Sequence, residues 1–181
     1  MQRQQLESLA EECFDELFDL LKQAGFRTLP VMEMFIGYPK TGPYKDAFGS
    51  YARNSQFKKN LRIRLYPDNL TRLLKAKLGV DELSIEQIRH EMLITLAHEF
   101  GHSMCEVYLV LEQSHPGLSV PKWKGVYDDE EDFVETFAQL LVAGQLDKSY
   151  QDASSCARYF WPRLMKQTTE LYSNHIQKEE V

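Results

Sequence analysis

Cysteine is scarce in this chain and poorly placed for cross-linking: Cys13, Cys105 and Cys156 are the only three among 181 residues, widely separated and without a CxxC pair. An odd, scattered set supports neither a disulfide framework nor a thiolate zinc knuckle, so the three are read as small buried hydrophobes. No stretch approaches the ~20 apolar residues that a membrane helix needs, and no membrane partner is expected. The start, Met1-Gln2-Arg3-Gln4-Gln5, runs into a helical pattern carrying Glu7, Glu11 and Glu12 and not into an apolar signal region. The expected location is therefore cytoplasmic, with signal-less export the one other route compatible with this start. Positive charge is in deficit as well. Against 27 acidic residues stand 21 Lys and Arg, giving a net charge of -6 and a pI near 5.4. That balance disfavours a general phosphate-binding surface, and no nucleic-acid partner is expected.

What is present is an ordinary globular composition, 43% hydrophobic and 12% aromatic, in a length that fits one domain over residues 1–181. Leu6, Leu9, Cys13, Leu17, Leu20 and Leu21 recur at helical spacing and predict a first helix over 4–24, capped by Gly25. Val31 to Tyr38 is rich in strand formers, and Ala47 to Arg53 is a shorter strand candidate around Gly49. Leu61, Ile63 and Leu65 alternate with Arg62, Arg64 and Tyr66, the period of a half-buried strand. Asp68 is placed to cap a helix through Leu70, Leu73, Leu74 and Leu78 that stops at Gly79. The last third, from Ser154 to about Gln177, also reads as helical, interrupted at Pro162.

The centre of the chain is the HExxH run His98-Glu99-Phe100-Gly101-His102. Ser84 and Gln87 form a capping-box pattern, after which Ile85, Ile88, Met92, Leu96, Phe100 and Met104 repeat every three or four residues. The expected helix, Ile85 to Tyr108, has apolar residues on two rows and so should be covered on both sides. Residues four apart share a helix face, so His98 and His102 can offer both imidazoles to one ion, with Glu99 beside them as a general base. Catalytic zinc requires one further protein ligand and an open position. Gly101, costly inside a helix, is explained by close approach of a neighbouring segment. His90 and His175 have no partner spacing and are read as surface or packing residues.

Downstream, Asp128 to Asp132 are five consecutive acidic residues opening an amphipathic helix of Phe133, Val134, Phe137, Ala138, Leu140 and Leu141 that ends at Gly144. Most of these acids, Glu130 included, are read as a solvated first turn suited to the helix dipole. Glu131 and Glu135, four apart, share a face.

The order of helix, two or three strands, HExxH helix, loop and second helix, together with the motif, resembles the zincin metallopeptidases. The metzincin extension is absent, since its glycine and third histidine would fall at Cys105 and Tyr108. Glu131-Asp132-Phe133-Val134-Glu135-Thr136-Phe137-Ala138 is similar to the ligand-bearing helix of the gluzincins, most of all that of the lethal-factor-type protease domain and of compact intracellular minigluzincins. The resemblance, which covers Leu61 to Leu141, implies an α+β zincin-like fold: a small mixed or antiparallel sheet of about three strands packed on a central HExxH helix, with further helices following. It implies a zinc-dependent endopeptidase holding one zinc ion per chain through His98, His102 and Glu131, with Glu135 accepting the far N–H of a ligand imidazole and a peptide or protein as substrate. The strand Leu61–Tyr66 would be the sheet edge along which that substrate lies. The family's transition-state tyrosine would fall at Lys124, and the nearest tyrosine is Tyr127. Three alternatives stay open. His115, followed by Pro116-Gly117, resembles the third histidine of SprT-type proteases. The chain is also compatible with a zinc-binding regulatory module that cleaves nothing efficiently, and with a chance HExxH in a helical protein.

Overall fold

A computed structural model describes residues 2–26, 29–53, 55–58, 60–114 and 130–146. Cys156, His175 and the helix expected over 154–177 lie outside them, as do His115 and Tyr127. Within the described residues the chain is mixed α+β, with five helices and a three-stranded mixed sheet. In order these are α1 (Arg3–Gln23), β1 (Met32–Ile36), β2 (Gly49–Tyr51), α2 (Ser55–Lys58), β3 (Leu61–Leu65), α3 (Pro67–Leu78), α4 (Ile85–Ser114) and α5 (Glu130–Val142).

The long helix α4 is the axle. Its cap is the expected reciprocal box: Gln87 N–H donates to Ser84 Oγ at 3.1 Å while Ser84 N–H donates to Gln87 Oε1 at 2.8 Å. It runs on to Ser114, beyond the Tyr108 that the apolar pattern predicted. Met92, Leu93, Leu96, Ala97, Phe100 and Met104 are all buried, because the sheet and α3 pack along part of its surface and α1 and α5 along the rest. From α1 come the buried Leu6, Leu9, Ala10, Cys13, Leu17 and Leu21. The chain leaves α1 through Gly25, whose φ of 99° lets Phe26 turn back into the core; there its ring meets those of Phe100 at 5.8 Å and Phe137 at 6.4 Å.

One helix start departs from expectation. Asp68 is not the cap of α3; Tyr66 occupies that position, Pro67 opens the helix with its preset φ, and Asp68 sits in the first turn, where its charge suits the dipole.

The sheet order is β1-β3-β2, with β1 parallel and β2 antiparallel to β3. In β3 the alternation holds residue by residue: Leu61, Ile63 and Leu65 are buried, Arg62 and Arg64 exposed. Its place in the sheet does not match expectation. Leu61–Leu65 is the central strand, hydrogen-bonded on both sides, and the edge facing α4 is the short β2.

Gly49 lets β2 approach that closely. A Cβ there would lie 2.8 Å from Thr95 Cγ2, 3.0 Å from Arg64 O and 3.3 Å from Glu99 Cγ. Thr95 cannot simply rotate away, since its hydroxyl donates to Glu91 O at 2.8 Å, and Arg64 O is backbone. Gly49→Ala is expected to destabilise the protein by about 1–3 kcal/mol through overpacking, read as a lower urea midpoint at unchanged slope. An unchanged midpoint would show that β2 does not hold this position in solution.

Candidate metal centre

On α4, His98 and His102 lie one turn apart, with ring centroids 4.8 Å apart and planes at 79°. Both turn Nε2 inward, so those two atoms are 3.1 Å apart. The third donor arrives on α5. Glu131 Oε2 lies 3.3 Å from His98 Nε2, and Oε1 lies 3.5 Å from His102 Nε2. A tetrahedral ion with ligands at about 2.0–2.1 Å requires its donor atoms to be about 3.3 Å apart, and 3.1 to 3.5 Å is what these side chains present. Two neutral imidazole nitrogens and one carboxylate are also a donor set of the kind zinc accepts.

The approach of α5 follows from packing. Gly101 is the contact point: a Cβ there would meet Val134 Cγ1 at 3.0 Å and Phe137 Cδ1 at 3.4 Å, so only glycine lets the helices come this near. Phe100 stacks on Phe137 and Phe133 on Phe137, at 6.2 and 6.3 Å. Each buried aromatic or aliphatic side chain in this contact contributes about 1.5–3 kcal/mol, enough to hold an exposed Glu131 over the histidines.

Glu130 does what the sequence did not assign to it. Its Oε1 lies 2.6 Å from His102 Nδ1, which fixes the ring with Nδ1–H donating outward and the Nε2 lone pair inward. Burial works against charge on His102, but the Glu130 hydrogen bond, with the nearby carboxylates of Glu99 and Glu131, outweighs it and holds the imidazole above its ordinary pKa. The same hydrogen bond, with charge from Arg53 and both histidines, pulls Glu130 below the usual carboxylate range. His98 moves the opposite way, lowered first by burial and then by the charge of His102. Glu135 is near His98 as expected, but at 3.7 Å from Nδ1 it is beyond hydrogen-bond distance, and its carboxylate accepts from Gln139 at 2.7 Å.

Glu99 is buried, with the floor of the cleft around it. Burial pushes its carboxyl up to about 7, opposed by the charge of His102 and by the backbone N–H of Tyr51. The cleft itself is open, about 600 Å³, and runs between β2 and the His98–His102 face of α4. Ala52 N–H donates to Arg62 O and Tyr66 N–H to Phe48 O, so the even-numbered residues of this segment pair with β3. The peptide groups of Gly49 and Tyr51 therefore turn away from the sheet, towards the cleft. Behind them, Tyr51 is pinned: its hydroxyl donates to the buried carboxylate of Glu106, which also accepts from Gln56 Nε2 at 3.1 Å.

Among the described residues His98, Glu99, His102, Glu131 and Glu135 converge, while His90 is exposed and absent from the cleft lining. Cys13 and Cys105 are buried free thiols; burial raises Cys13 to about 11 and Cys105 further, so neither supplies a thiolate.

The raised Glu99 carboxyl has a sign that can be measured in chelator-treated protein. Its native pKa lies above the ordinary 4.5, so the folded state holds the proton more tightly than the unfolded state. Stability must then fall as pH rises from about 4.5 to about 7, a loss on the order of 3 kcal/mol. Glu99→Gln is expected to remove that component, so the variant gains on the wild type across this window. Parallel stability curves for the two proteins would show that Glu99 is not buried in solution.

No protein-family model matches this chain, and no curated protein or solved structure is significantly similar to it.

Proposed function

We propose that this chain is a zinc-dependent peptidase with a zincin-like fold, in which His98, His102 and Glu131 hold the metal and Glu99 is the general base. The observation that carries the reading is the donor triangle of 3.1, 3.3 and 3.5 Å, formed by two helices beside a buried carboxyl whose pKa is raised to about 7. A structural zinc site has four protein ligands; among the described residues three donors converge, facing an open cleft with room for water and substrate.

Bound there, zinc supplies Lewis acidity towards water and the scissile carbonyl. The chain's own groups supply the rest. An extended peptide adds to the edge of β2 that pairs with no strand among the described residues, where the peptide group of Gly49 and the carbonyl of Tyr51 meet its backbone. This is the role first expected of the Leu61 strand, which pairs on both sides and cannot fill it. Glu99 takes the proton of the attacking water and passes it to the leaving amine, from a buried position beside the donor triangle but outside it. Glu130 keeps His102 in the tautomer a ligand needs. Tyr127 remains the candidate for stabilising the oxyanion; Tyr51, whose backbone N–H meets Glu99, has its hydroxyl committed to Glu106.

The test begins with metal content. Protein purified without added metal, then titrated with zinc, is expected to hold one ion per chain, and cleavage sites generated in a cell extract should vanish with Glu99→Gln. A chain that takes up no zinc would sink the reading.

A further inference from the structure

The proposed chemistry involves an extended peptide in the cleft, and one end of the cleft carries an exposed arginine. Glu99 must reach the leaving amine, so the C-terminal half of the substrate lies on Glu99's side of the metal. Glu99 packs against Gly49, near the start of β2. An extended peptide that pairs antiparallel to β2 then runs its N-terminal half over Tyr51, whose N–H meets the Glu99 carboxyl, and onward past the end of the strand.

Two residues beyond Tyr51 is Arg53. Its side chain lines the cleft, is 63% exposed, and has one guanidinium nitrogen, Nη2, 3.7 Å from Glu130 Oε1. That oxygen is already engaged at 2.6 Å by His102 Nδ1, so Glu130 orients the guanidinium, and among the described residues no other carboxylate pairs with it. The other lysine or arginine in the cleft lining, Lys77, belongs to α3, and Glu91 lines the cleft with it. Asp46, also in the lining, is paired with Arg72 at 3.1 Å.

We propose that Arg53 is a specificity-determining residue that selects an acidic side chain two to four residues before the scissile bond. This deepens the peptidase reading and rests on it for the direction of the peptide. A guanidinium fork takes a carboxylate through two parallel hydrogen bonds, and a lysine at the same substrate position would meet like charge. The local preference is thus opposite to the one that the chain's net charge of -6 would favour.

The test compares peptides differing only in Glu, Gln or Lys at those positions, on wild type, Arg53→Gln and Arg53→Glu. Because the peptides are compared on the same protein, differences in metal occupancy between variants cancel. Wild type is expected to favour the Glu over the Gln peptide about three- to tenfold in kcat/KM, mainly through KM and less so at high salt. In Arg53→Gln the ratio should fall to about one, and in Arg53→Glu it should invert in favour of Lys. The same ratio in all three proteins would overturn the assignment. Binding of the peptides to full-length Glu99→Gln protein reads the contact without the reaction. Arg53-dependent selectivity there, with no cleavage by wild type, would sink the peptidase reading and with it the position assigned relative to a scissile bond, leaving Arg53 as an acid-binding contact; equal affinities would sink that contact too.

Discussion

Glu99→Gln is expected to keep its fold and its zinc and to lose peptidase activity by about 10²–10⁴-fold, because the substitution preserves shape and polarity while removing the proton acceptor. The structure makes this a clean experiment. Glu99 is buried against Gly49 and Thr95, so an isosteric amide fits where a smaller residue would leave a void beside β2. It is also outside the donor triangle, so metal content is the internal control. A loss appearing in kcat and kcat/KM together would place the deficit in the transition state, as a general base requires. Activity retained in a metal-replete variant would refute the mechanism.

The second large effect is expected at the start of α5. Glu131→Ala removes one of three donors and should abolish stoichiometric zinc binding. His115→Ala should leave zinc bound; the reverse pattern would move the third ligand to His115 and the assignment to the SprT-type reading. The neighbours of Glu131 give a graded control. Reading the acidic run as a solvated turn makes Glu130→Ala nearly silent. The 2.6 Å contact with His102 Nδ1 revises that expectation to about a 10–100-fold loss of zinc affinity, more than for Glu135→Ala, whose carboxylate stands 3.7 Å from His98. Equal affinity in wild type and Glu130→Ala would show that His102 does not depend on Glu130 in solution.

These two glutamates mark where sequence stops being informative. Helical spacing places Glu131 and Glu135 on one face; Glu131 reaches both Nε2 atoms, while Glu135 stops 3.7 Å from His98 Nδ1. Glu130 lies about 100° away on the wheel, and its contact depends on α5 starting there and crossing α4 at Gly101, a tertiary fact that periodicity does not carry. The same limit applies to β3. Alternation reports which side chains face the core, and Leu61, Ile63 and Leu65 do. It says nothing about how many neighbours a strand has, so the expected edge proved to be the centre. Arg53 offered no signal, being a single arginine in a turn. What was legible was local and cooperative: the Ser84–Gln87 cap, the two-sided apolar face of α4, and the need for glycine at position 101.

In the proposed site, α5 is brought onto α4 by apolar packing of Phe100 and Gly101 against Phe137 and Val134, so the spacing of the donor triangle rests on side chains that are not ligands. Ion choice then becomes a question of size. Calcium needs six to eight oxygens at about 2.3–2.6 Å, whereas two imidazoles and one carboxylate held about 3.3 Å apart suit a small four-coordinate ion. Cobalt(II), close to zinc in size and ligand taste, should exchange into such a cage by dialysis alone, without passage through the unfolded chain.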